Sequence, residues 1–234
     1  MSGHSKWATT HRQKAVVDAK RGAAFTKLGN MIAIAARGGT DPTTNSSLAL
    51  AIEKARAANM PNANIQRAID RINDKNAAAL EEAVYEGYGP GGVGIIIETA
   101  TDNKNRTYPE VRTALTKNGG TMADSGSVMF QFARKGVIRV AAGGEEALLT
   151  VLDAGAEDAT EEDGGLTVYT DKKELAKVRE ALLAAGMTVE DAELQYVPNN
   201  TVAIEDDETA RKLTKIIDAL EVLDDVTNVA TNAA

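Results

Sequence analysis

The residues that decide the fold are Ala83-Val84-Tyr85-Glu86-Gly87-Tyr88, followed by the turn Gly89-Pro90-Gly91-Gly92 and the apolar run 93–99. The first run has the composition of a strand, and the last is a β-rich run typical of a buried strand. Upstream of residue 80, the apolar residues instead recur at helical spacing. The change of period predicts a domain boundary near residue 80.

Residues 1–79 are predicted to form a basic helical domain. No clear period appears before residue 16, so a flexible arm is expected there. A helix over 16–36 is indicated by an apolar stripe of Phe25, Leu28, Ile32 and Ala35. Helices over 46–58 and from Pro61 onward follow, the last with Ile65, Ala68, Ile69 and Ile72 as its buried face.

The rest of the chain is predicted to form two α/β domains, residues 80–135 plus 199–234 and residues 136–198. Residues 137–197 show the order β-α-β-β-α-β, the split βαβ order of a ferredoxin-like domain. Around them, strands at 127–133 and 201–204 help to complete a second set of this kind. The termini of such a domain lie close together, which suits insertion into another domain. The predicted fold class is α+β, with the third domain inserted into the second.

Charge is divided unevenly along the chain. Residues 1–79 carry 12 basic and 5 acidic side chains, whereas residues 141–234 carry 7 and 22. The first segment is therefore +7 in a chain of −8. Clustered Lys and Arg release counterions when they meet nucleic acid, so the first domain is predicted to bind phosphates and the last third to stay away from them. The alternative is a solvated basic surface without a partner.

Composition excludes several classes of protein. The chain has no cysteine, which excludes disulfides and thiolate metal sites. No apolar run is long enough for a membrane helix, and no apolar signal core follows the basic N-terminus. A cytoplasmic protein without a membrane partner is therefore expected.

The motifs do not indicate an enzyme. Gly87-x-Gly89-x-x-Gly92 fits the letters of a dinucleotide fingerprint, but a strand and not a helix follows it, so a hairpin turn is the better interpretation. The acidic runs lack the spacing of a calcium loop. His4 and His11 have no Cys or Glu nearby, which argues against a metal site. No cofactor and no small-molecule substrate are expected.

Trp7 lies between Lys6 and Arg12 in the predicted arm. An aromatic ring flanked by cations can stack on an unpaired base. It can equally pin the arm to the helices, and the sequence does not decide between the two.

The chain resembles the YebC family over nearly its full length. The resemblance rests on Gly3-His4-Ser5-Lys6-Trp7, Asp18-Ala19-Lys20-Arg21-Gly22, Phe25-Thr26-Lys27-Leu28, Ala58-Asn59-Met60-Pro61, 85–92, 101–107 and Gly126-Ser127-Val128. It implies three domains, the first helical, in a cytoplasmic regulator of transcription that binds DNA. It also implies an alternative, a translation factor on the ribosome that eases synthesis of proline-rich stretches, since the mitochondrial member is a translational activator.

These observations together predict a monomeric, non-enzymatic nucleic-acid-binding regulator of gene expression. Its partner is DNA or, in the alternative, ribosomal RNA. The candidate nucleic-acid-binding residues are Lys6, Trp7, His11, Arg12, Lys14, Lys20, Arg21 and Lys27. Lys20 and Lys27, seven residues apart, are expected to share a helix face away from the apolar stripe.

Overall fold

The computed structural model describes residues 21–74, 78–162 and 164–234. Within residues 21–74 the structure has three α-helices: α1 (Arg21–Ala36), α2 (Ser46–Ala57) and α3 (Asn62–Asp70). Their shared core is apolar and includes Ile32, Leu48 and Ile65. None of the helices in these ranges is both long and apolar enough to cross a membrane.

The helical region follows the predicted pattern with one error. The part of the first helix predicted over 16–20 lies outside the described residues. Ile72, predicted to be buried, is 39% exposed. The α-helix ends at Asp70 and a 3₁₀ turn, Arg71–Asn73, follows, so the angular spacing that would have carried Ile72 inward is lost. Pro61 lies at the N-cap of α3, immediately before its first turn.

The first sheet has four antiparallel strands in the order β3-β1-β2-β8: β1 (Glu81–Tyr88), β2 (Gly94–Thr101), β3 (Thr121–Ala123) and β8 (Val226–Thr231). Helices α4 (Lys104–Lys117) and α7 (Asp207–Glu221) pack on one face of this sheet. Gly91 and Gly92 have φ of 75° and 77°, values that favour glycine, in the connection between β1 and β2. This confirms the prediction that the glycine motif is a turn between antiparallel strands.

The second sheet is formed by a continuous stretch of chain. Its elements are β4 (Phe132–Val140), α5 (Glu145–Asp153), β5 (Asp158–Glu162), β6 (Gly165–Asp171), α6 (Leu175–Ala184) and β7 (Val189–Pro198). The strand order β5-β6-β4-β7 is antiparallel throughout. The predicted β-α-β-β-α-β order is confirmed, and the second sheet is inserted between β3 and α7 of the first.

Both sheets have the same spatial arrangement of strands. They differ in chain order, because the first sheet begins with the strand that comes third in the second sheet. In the first sheet β1 occupies the position that β6 occupies in the second. Two predicted strands are therefore wrong. Residues 127–133 form a loop, a 3₁₀ turn (Met129–Gln131) and the start of β4, and residues 201–204 contribute a single bridge, Val202 to Ala233.

The predicted boundary between residues 135 and 136 falls inside β4. This strand enters the second sheet at Phe132, whose side chain packs with Ile96 of the first sheet. Phe132 therefore belongs to one domain by its backbone pairing and to the other by its side-chain packing. The division of the chain into independently folding units remains a prediction.

Candidate nucleic-acid interface

Most of the predicted nucleic-acid-binding residues precede the described part of the chain. Lys6, Trp7, His11, Arg12, Lys14 and Lys20 all lie outside it. Arg21 is the first residue of α1. Lys27 is half-buried on the same helix, and the structure therefore places one of the eight predicted side chains.

Lys27 contacts the second domain. Its Nζ donates a hydrogen bond to the backbone carbonyl of Glu221, the last residue of α7. The C-terminal end of a helix carries partial negative charge, which favours a cation at this point. Lys27 thus helps to hold α1 against the second domain, and its role as a phosphate contact stays a prediction.

Two further basic side chains of the helical region bind the other domains. Arg71 donates to Asn30 Oδ1 at 3.3 Å and lies 3.8 Å from Asp102 of the second domain. Lys54 pairs with Glu193 and, at 3.5 Å, with Asp191, both on β7. Part of the positive charge of residues 1–79 is therefore neutralised between domains. Counting charges along the sequence does not distinguish these side chains from those left at the surface.

In the described part of the helical region, three other arginines are exposed and were not among the predicted site residues. They are Arg37 after α1, Arg56 near the end of α2 and Arg67 on α3. Arg67 makes one weak hydrogen bond, to Asn64 Oδ1 at 3.4 Å. These side chains are available to phosphates, and only their exposure in the fold separates them from Lys27, Lys54 and Arg71.

A cleft of about 630 Å³ lies where the three domains meet. Four of its charged groups form two ion pairs. Arg134 pairs with Glu98 and lies over the ring of Tyr196 at 4.6 Å, and Lys54 pairs with Glu193. These ion pairs join different elements around the cleft, whereas Glu82, Lys172 and Lys173, which also line it, are exposed.

A buried carboxylate organises the loop that follows β3. Glu86, 3% exposed, accepts backbone N–H bonds from Gly126 at 2.5 Å, Val128 at 2.6 Å and Met129 at 2.8 Å. The same loop presents Phe130, which is 72% exposed. The Gly126-Ser127-Val128 motif is therefore held in place by two side chains of β1, Glu86 and Tyr88, whose hydroxyl donates to Ser127 O at 2.9 Å.

A second buried carboxylate fixes the start of α4. Asp225, 7% exposed, accepts from the hydroxyls of Thr101 at 3.0 Å and Thr107 at 2.6 Å. Arg106 Nη2 lies 2.7 Å from its Oδ2 and also pairs with Asp102 at 3.2 Å. Because Asp102 faces Arg71, this network connects the helical domain to the core of the second domain.

No group of three or more His, Cys, Asp or Glu side chains within residues 21–74, 78–162 and 164–234 is arranged to hold a metal ion.

The fold and charge distribution define a class of protein: a basic helical domain docked on two α/β domains, one inserted in the other. The TACO1/YebC N-terminal domain model matches residues 5–75, and the model of the TACO1/YebC second and third domain matches residues 80–233. The chain belongs to the TACO1/YebC family.

Relatives of similar length support this assignment. A "Probable transcriptional regulatory protein" of Moorella thermoacetica is 52% identical, with 100% of this chain and 95% of the relative covered. A protein of the same name from Salinispora tropica is 50% identical, with coverage of 99% and 95%. The crystal structure of a conserved hypothetical protein, Aq1575, from Aquifex aeolicus matches with a TM-score of 0.88 at 44% identity, covering 94% of this chain and 93% of that one.

Proposed function

We propose that this protein is a regulator of gene expression that binds DNA through its basic N-terminal domain. The observation that carries the proposal is the +7 charge of residues 1–79 in a chain of −8. Exposed Arg37, Arg56 and Arg67 extend that charge over the described helices. The names of the relatives from Moorella and Salinispora support a role in transcription.

The salt dependence of duplex binding tests this proposal. Replacing Lys6, Arg12 and Lys14 together with Ala should weaken binding and lower the slope of log K against log salt by about 0.9 for each phosphate that the variant no longer neutralises. Affinity at several salt concentrations, measured by fluorescence anisotropy on a labelled duplex, gives the slope. The matched control replaces three exposed lysines of the third domain with Ala: Lys172, Lys173 and Lys177. This variant should bind with unchanged affinity and unchanged salt slope. Equal behaviour of the two variants would contradict the proposed role of the N-terminal domain.

A second candidate function, binding of ribosomal RNA, is favoured by the surface of α4. Tyr108 is 43% exposed and has Lys104, which pairs with Glu81 at 2.6 Å, one turn before it and the exposed Arg112 one turn after it. Its ring centroid lies 5.8 Å from that of Tyr85, and the two rings are tilted by 57°. An exposed ring between two cations suits an unpaired base and its phosphates, as found in RNA loops.

The second candidate predicts a specific loss when the ring is removed. Tyr108→Ala should weaken binding of a single-stranded RNA oligomer roughly 5- to 150-fold, because stacking of one base on an aromatic contributes about 1–3 kcal/mol. Tyr108→Phe should retain binding. Phe130→Ala, which removes a more exposed aromatic outside α4, is the control and should not change the affinity. Unchanged RNA binding by Tyr108→Ala would exclude this surface.

A further inference from the structure

Two helices of the N-terminal domain are joined by a short turn and share a third helix as their support. Helix α2 ends at Ala57 and α3 begins at Asn62, so Ala58-Asn59-Met60-Pro61 forms a four-residue turn. Met60 is 5% exposed and anchors the turn in the core, while Asn59 adopts a positive φ of 60°. Both helices pack on α1 through Leu48, Ile52, Ile65 and Ile69. A short turn between two helices that share a core is a feature of a helix-turn-helix unit.

The exposed surface of α3 carries side chains of types that can recognise base edges. Ile65 and Ile69 face the core, and Asn62, Gln66 and Arg67 are exposed. Amide groups of Asn and Gln form paired hydrogen bonds with adenine, and the Arg guanidinium does so with guanine. The face also includes Asp70, whose Oδ1 accepts from Gln66 Nε2 at 2.9 Å. The face is thus polar, with three donor-bearing side chains and one acid.

Within residues 21–74, 78–162 and 164–234, the interdomain hydrogen bonds and ion pairs of the helical region lie away from this face. The other domains are contacted by α1 through Lys27 and Asn30, and by α2 through Glu53 and Lys54. Arg71, which approaches Asp102, lies just beyond the C-terminal end of α3. The interdomain contacts are therefore made by the other helices and by the end of α3, away from Asn62, Gln66 and Arg67.

We propose that α3 enters the major groove of duplex DNA and that Asn62, Gln66 and Arg67 contact base edges there, with Arg56 of the preceding helix on the phosphate backbone. In a helix-turn-helix unit the second helix lies in the groove and its N-terminal residues meet the bases. All three side chains lie within the first six residues of the nine-residue α3. This inference rests on the proposed DNA-binding function and names the element that gives it sequence preference.

Selection from a random duplex library tests the inference with the full-length protein. The wild type should enrich a preferred sequence and bind it more tightly than a scrambled duplex. Arg67→Ala and Gln66→Ala should each reduce that ratio roughly 5- to 150-fold, because a good paired contact to a base discriminates by about 1–3 kcal/mol. Arg56→Ala is the matched control: it should weaken binding to both duplexes equally and lower the salt slope by about 0.9. The melting temperatures should not change, since these side chains are exposed.

The outcomes separate this inference from the function on which it rests. Binding of all duplexes without any enrichment, or an unchanged ratio in Arg67→Ala and Gln66→Ala, overturns the role of α3 and leaves DNA binding intact. Failure to bind any duplex overturns both. A ratio that falls equally in Arg56→Ala and Arg67→Ala also overturns the assignment, because it makes Arg67 no different from a phosphate contact.

Discussion

Replacing Glu86 with Ala is expected to lower the free energy of unfolding of the second domain by roughly 3–5 kcal/mol. The variant leaves the N–H groups of Gly126, Val128 and Met129 without their carboxylate acceptor, and a hydrogen bond to a charged group contributes about 1.5–3 kcal/mol. Urea unfolding measures the loss. Amide hydrogen exchange should show that protection disappears in the loop 124–131 before it does in β1 and β2.

The matched control for this experiment is Glu82→Ala, which removes an exposed glutamate earlier on the same strand and should change stability by no more than about 0.5 kcal/mol. A Glu86→Ala variant as stable as this control would contradict the structural role of the carboxylate.

The contribution of Glu86 should also depend on pH. Burial by itself raises the pKa of Glu86, but the three N–H donors outweigh it and hold the pKa below its ordinary value of 4.5. A carboxyl whose pKa is lower in the folded state stabilises the fold above its unfolded pKa. That stabilisation is lost as the pH falls through the folded value. The stability difference between the wild type and Glu86→Gln should therefore shrink as the pH drops below 4.5.

Loss of the Asp225 carboxylate is expected to have the next largest effect, a destabilisation of roughly 2–4 kcal/mol in Asp225→Ala. The hydroxyls of Thr101 and Thr107 lose an acceptor inside the protein, and Arg106 loses its shorter ion pair. Thermal and urea unfolding report the change. The neighbouring Asp224 is exposed, so Asp224→Ala provides a control that differs by one position and should remain within about 0.5 kcal/mol of the wild type. Equal stability of the two variants would show that the network does not stabilise the fold.

The second sheet was predictable from sequence because its strands and helices follow one another locally. The first sheet was only partly predictable, because β1 occupies the position expected for a strand at 201–204. The sequence of residues 201–204 suits an extended connection as well as a strand. The sheet position predicted for these residues is filled by β1, more than a hundred residues earlier in the chain. The three-residue β3 is too short to give a periodic signal.

The candidate site shows the limits of reasoning from charge. The sequence identifies the basic N-terminal segment, because net charge is a property of composition. It does not show that Lys54 and Arg71 contact acids on other domains, since those acids, Glu193 and Asp102, are distant in sequence. It likewise does not show which arginines stay exposed. The apolar face of the short helix α3 was predictable from the spacing of its apolar residues. The position of α3 relative to α2, by contrast, depends on the turn between them and on their common packing against α1.

The junction of the inserted domain has a consequence for how such a chain is assembled in evolution. Asn199 N donates to Gln131 O at 2.8 Å, and Phe132 pairs with Pro198, so the chain leaves the host domain and returns to it at adjacent points. The segment between these points can be exchanged for another domain whose ends lie equally close, provided that Phe132 keeps its place in the core of the host domain. Recombination at this position changes the inserted domain without changing the path of the chain through the sheet of the host domain.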